Sequence, residues 1–68
     1  MEPQSISFER TLYTTIECRV YLRKHSLYPI MRVDRTDTHY IYILSNVIYP
    51  RHTTKYVDNG VRLCYGCF

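Results

Sequence analysis

The stretch ISFERTLYTTIECRVYLR, running from Ile6 to Arg23, decides the fold. Its even positions read Ile6, Phe8, Arg10, Leu12, Thr14, Ile16, Cys18, Val20 and Leu22. Its odd positions read Ser7, Glu9, Thr11, Tyr13, Thr15, Glu17, Arg19, Tyr21 and Arg23. Apart from Arg10 and Thr14, an apolar face alternates with a polar, tyrosine-bearing face. That is the period of a half-buried β-strand. A flat strand from Ile6 to Leu22 would reach roughly 56 Å at about 3.3 Å per residue, too long for a small domain. The segment must therefore bend, and Arg10 and Thr14 are the places for a bulge. A second reading fits the same letters. Phe8, Leu12, Ile16 and Val20 recur every fourth residue, as on one face of a helix. Arg23, Lys24 and His25 then sit at its C-terminal end, and Pro29 stops it. The Thr14-Thr15 pair and the absence of alanine favour the strand.

The rest of the chain leans the same way. It has 68 residues, no alanine and eight tyrosines, and Val, Ile and Thr supply eighteen residues. Alanine is the best helix former, whereas tyrosine and the β-branched residues suit strands. Ile30 to Asp34 and His39 to Leu44 read as two strands around a polar turn, Arg35 to Thr38. Ser45-Asn46 reads as a kink, Val47 to Tyr49 as extended chain, and Pro50 as its stop. Last comes TTKYVDNGVRLCYG, two β-rich runs around Asp58-Asn59-Gly60. Asn-Gly is a strong hairpin signal because both residues tolerate positive φ. A loop of Asn59-Gly60 alone would set Lys55 opposite Cys64. A three-residue loop with a glycine bulge would set Thr54 there instead.

The expected fold is mainly β, a small antiparallel sheet or compact barrel of four or five strands. The alternative is α+β, with one helix near residues 8–24 packed on a β-hairpin sheet. The chain reads as a single small domain, 1–68, with a loose N-terminus at 1–5. The expected core is Phe8, Leu12, Ile16, Val20, Leu22, Ile30, Ile41, Ile43, Ile48, Val57, Val61 and Leu63. So small a domain buries only about 60% of the surface its unfolded chain exposes. A metal, a twin subunit or a partner often supplements such a core.

Three cysteines, Cys18, Cys64 and Cys67, are an odd number and suit a reducing compartment. No leader pattern stands at the start, and the longest apolar run, Tyr40 to Leu44, is too short to span a bilayer. A cytoplasmic protein is expected. Cys64 and Cys67 form a C-x-x-C pair, as at the start of a zinc ribbon. Cys18 and one of His25, His39 or His52 would complete a Cys₃His set, but a second clean pair is missing. Read plainly, Cys64 is a strand residue and Cys67 a terminal one. No cofactor is expected, with zinc as the minority reading.

The acids form no spaced pair, no glycine-rich phosphate loop exists, and a substrate-sized pocket is not expected at this size. An enzyme is the least favoured class. Tyrosine and arginine interleave, with Tyr13, Arg19, Tyr21 and Arg23 in the first segment and Tyr40 and Tyr42 on a later strand. Both residue types are enriched in the anchors of protein interfaces. These six are the expected partner-binding residues. The expected function is a non-enzymatic regulator or inhibitor that blocks the surface of a protein partner, with self-association a further possibility. Its make-up suits a small phage or viral accessory protein. The alternative is a small basic nucleic-acid-binding module, since aromatic platforms flanked by cations stack bases and hold phosphates. The net charge of +3 favours neither. A zinc-stapled minidomain is the third reading.

Overall fold

The computed structural model describes residues 2–27 and 29–68. Five strands and one helix follow in the order β1 (Glu2–Glu9), α1 (Thr15–Lys24), β2 (Arg32–Arg35), β3 (His39–Ile43), β4 (Arg51–Asp58) and β5 (Val61–Cys67). The strands form one open sheet in the order β2-β3-β1-β5-β4, and every neighbouring pair is antiparallel. β1 and β2 therefore run parallel, with β3 between them and α1 as the crossover. The mainly β expectation holds, and the helix of the α+β alternative is present.

The single long strand over Ile6–Leu22 is not what forms. β1 stops at Glu9, where the amides of Leu12 and Tyr13 both donate to the Glu9 carbonyl and turn the chain. Thr14 then caps a helix. Its hydroxyl accepts from the Glu17 amide at 3.2 Å, and the Glu17 carboxylate accepts from the Thr14 amide at 3.0 Å. This reciprocal box satisfies two amide donors that a helix start otherwise leaves unpaired. At the far end, the Leu27 amide donates to Leu22 and the Ser26 amide to Arg23, with Ser26 at φ 55°. That pairing closes the last turn. The local hydrogen bonds at both ends override the period-two pattern between them.

The helix phase also revises the core. Cys18 and Leu22, one turn apart, face the sheet and are fully buried. Ile16 and Val20 lie on the opposite side of α1 and are exposed, as is Leu12. Ile48 and Val57 are exposed as well, while Ile30, Ile41 and Ile43 are half-buried. Phe8, Leu22, Val61 and Leu63 are buried as expected, joined by Ile6 and Tyr42. Residues 2–5, expected to be loose, belong to β1. Glu2 pairs with Gly66 and Ser5 with both Ile43 and Cys64.

The last hairpin combines features of both expected loops. Asp58 pairs with Val61 across Asn59-Gly60, and a bulge at Val57 then sets Thr54 opposite Cys64. Within this turn Gly60 takes positive φ, at 74°, and Asn59 does not. The sheet face away from α1 is lined by Ser7, Ile41, Ile43, Arg62, Cys64 and Gly66, from strand alternation. The Tyr49 ring, buried at the end of the 44–50 connection, lies against Gly66 on that face.

Candidate partner-binding surface

The four site tyrosines collect around one phenylalanine. Phe8 meets Tyr13, Tyr21 and Tyr42 edge-to-face, with ring centroids 5.4, 5.4 and 5.6 Å apart. Such pairs add about 0.5–1.5 kcal/mol each beyond area burial. Tyr40 lies directly opposite Phe8 in the β1–β3 register. Tyr40 and Tyr42 share one face of β3, as expected, and it is the helix face. Tyr42 is buried, whereas Tyr13, Tyr21 and Tyr40 are half-buried. The Tyr13 hydroxyl donates to the Asn59 carbonyl at 2.8 Å, tying the helix approach to the β4–β5 turn.

Tyr13, Arg19, Tyr21 and Arg23 do not share a face, because a helix turns about 100° per residue where a strand alternates. Arg19 and Arg23 stand one turn apart on exposed helix surface, and Tyr21 turns toward Phe8 and His25. The structure instead brings Arg19 and Arg23 to Tyr42. Together with Ile30 and Val33 they line a cleft of about 280 Å³ between α1 and β2. Val33 pairs with Tyr42 and Arg35 with Tyr40, so all four point to the same side of the sheet.

Two arginines that sequence reading did not select extend this strip. The Arg10 guanidinium lies 5.1 Å from the Tyr40 ring centroid and that of Arg35 lies 6.0 Å away. Both are within reach of the ring's negative face. Arg10 is further fixed by donating to the Thr36 carbonyl at 2.8 Å. Among the described residues the ion pair is Arg32–Asp34, on the other face of β2. No sequence signal flags Arg10 and Arg35, since strand pairing carries them to Tyr40.

Burial pushes the Tyr42 hydroxyl up to about 12, with Cys18 adding to the rise and Arg19 and Arg35 opposing it. Burial likewise raises the Cys18 thiol. Tyr13 and Tyr21 are raised, first by desolvation and then by the Asp58 carboxylate. A tyrosine is neutral while protonated. A folded-state pKa above the unfolded value near 10 therefore means that the folded state holds the proton more tightly. The resulting stability is fully present below pH 10 and is lost as pH rises through about 12. The urea midpoint should thus be level up to about pH 9, where an unfolded Cys18 thiol begins to ionise, and fall above it, most steeply beyond pH 10. Tyr42→Phe should make that fall shallower, and an unchanged alkaline slope would remove Tyr42 as its source.

The three cysteines are kept apart. Cys18 is buried on the sheet-facing side of α1. Cys64 and Cys67 both lie on β5, where a spacing of three puts side chains on opposite faces. Among the described residues no group of three His, Cys, Asp or Glu side chains is placed to hold a metal. Cys64 and His52 line an open cavity of about 440 Å³ beneath residues 45–48. No helix among the described residues is long and apolar enough to cross a membrane. Comparison with protein-family models, with curated proteins and with solved structures finds no match.

Proposed function

We propose that this chain is a non-enzymatic binding protein that occupies the surface of a protein partner, as a regulator or inhibitor acting by steric block. One observation carries the reading. Ile16 is 73% and Val20 59% exposed, one turn apart on the solvent side of α1. Among the described residues, ten large apolar side chains are exposed against eight buried apolar ones. Exposed apolar patches of this kind are typical of interaction surfaces. The nucleic-acid alternative draws on the same arginines. Its stacking platform is less well served, because Tyr13, Tyr21 and Tyr42 turn their rings to Phe8.

The test is native mass spectrometry of the protein purified gently from its source cells. The expected result is a complex of fixed stoichiometry with a second protein. It should disperse when Ile16→Asp and Val20→Asp are combined, with the circular dichroism unchanged. A twin subunit lost on the same substitutions would make the partner a second copy. A bare monomer with nothing bound would overturn the proposal.

A further inference from the structure

We infer that the cleft between α1 and β2 receives an acidic segment of a partner protein. An aliphatic side chain of that segment seats between Ile30 and Val33, and its carboxylates lie on Arg19 and Arg23. This rests on the protein-binding reading above and names the chemistry of the partner.

Charge comes first. Of the seven arginines in the chain, Arg10, Arg19, Arg23 and Arg35 lie along this one strip. Glu17, the acid nearest Arg19 in sequence, closes the helix cap, and Asp34, beside Val33, pairs with Arg32 two residues along β2 on the opposite face. Arginine forks are made to take carboxylates in pairs, and Arg19 and Arg23 are spaced by one helical turn. The floor supplies the second requirement. Val33 is exposed and Ile30 half-buried beside the buried Tyr42, so an aliphatic group gains contact there without displacing anything charged. A base has less to gain, because the Tyr42 ring is already covered by Phe8. Apolar floor and cationic rim match the layout of a small interface anchor.

The experiment is selection from a random short-peptide library displayed on phage, against the full chain. Enriched peptides are then titrated by fluorescence anisotropy. They should carry acidic residues around an aliphatic one. Their affinity should fall by about tenfold or more on Arg19→Glu combined with Arg23→Glu, as for loss of close interfacial charge pairs. The neutral pair Arg19→Gln and Arg23→Gln should give a smaller loss in the same direction. Arg62→Glu, on the other sheet face, should leave affinity unchanged. Enrichment of peptides that are not acidic, or no enrichment, would overturn the inference. Acidic peptides that bind the Arg19/Arg23 variants normally and lose affinity on Arg62→Glu would move the site to the other face. The protein-binding reading would then stand while the cleft fell. An oligouridylate that displaces the peptides at lower concentration would overturn both.

Discussion

Replacing Phe8 with alanine is expected to leave the chain largely unfolded at room temperature. Phe8 is fully buried on β1, the middle strand of the sheet, beneath α1. It is also the common partner of Tyr13, Tyr21 and Tyr42. Truncating a buried phenylalanine costs about 3–5 kcal/mol, partly in lost transfer energy and partly in the cavity left behind. At roughly 0.05–0.15 kcal/mol per residue, a domain of this length has about 3–10 kcal/mol in total. The loss is therefore comparable with the whole margin at its lower end. Phe8→Leu keeps most of the volume and should cost about 1.5 kcal/mol. Far-ultraviolet circular dichroism and urea midpoints check both. An alanine variant that melts within a few degrees of the parent would show that the tyrosines pack without Phe8.

Gly66→Ala should be the second most damaging change, although it adds one methyl group to a position near the end of the last strand. A Cβ at Gly66 would overlap the Cγ, Cδ2 and Cε2 atoms of the Tyr49 ring. That ring has little freedom to withdraw. It is buried, its hydroxyl donates to Glu2 at 2.9 Å, and its centroid lies 5.1 Å from that of Phe68. Overpacking a filled site costs about 1–3 kcal/mol, and the upper end applies where the neighbour is an aromatic ring. For a domain of this size each kcal/mol moves Tm by about 4–8 °C, so a fall of roughly 15 °C is expected. A double-mutant cycle isolates the cause. In a Tyr49→Ala background the same glycine substitution should cost under about 1 kcal/mol. An equal cost in both backgrounds would show that the backbone at Gly66, not the ring, resists a side chain.

The two hairpins were legible because their signals are local. Asp58-Asn59-Gly60 needs only its own residues to turn, and Ile30–Leu44 alternates around a polar tetrad. The helix was harder to read because Ile6–Leu22 satisfies two periods at once. The letters that settle it are Thr14 and Glu17, three apart, the signature of a capping box just before an apolar run. Once the helix is phased from Thr14, Cys18 and Leu22 point inward and Ile16 and Val20 outward, so that of the three core residues expected on α1 only Leu22 is kept. The surface followed the same error. Strand alternation groups Tyr21 with Arg19 and Arg23, whereas the helix separates them and delivers the arginines to Tyr42. Arg10 reaches Tyr40 only because β1 pairs with a distant segment, which no window of sequence shows, whereas Arg35, expected in the turn, comes opposite Tyr40 because β2 runs on through it. The spread of Cys64 and Cys67 to opposite faces follows directly from period two, once β5 is carried as far as Cys67.

The place of β1 in the sheet has a kinetic consequence. It lies between β3 and β5, and β5 belongs to the far end of the chain. The seam between them closes only after a long loop has been ordered, which marks a slower folder than a helical bundle of equal length. Until β5 docks, β1 presents an unpaired edge carrying Ile6 and Phe8. Such an edge is open to β1 strands of neighbouring chains, so crowded refolding should trap the protein as aggregates before the seam is made.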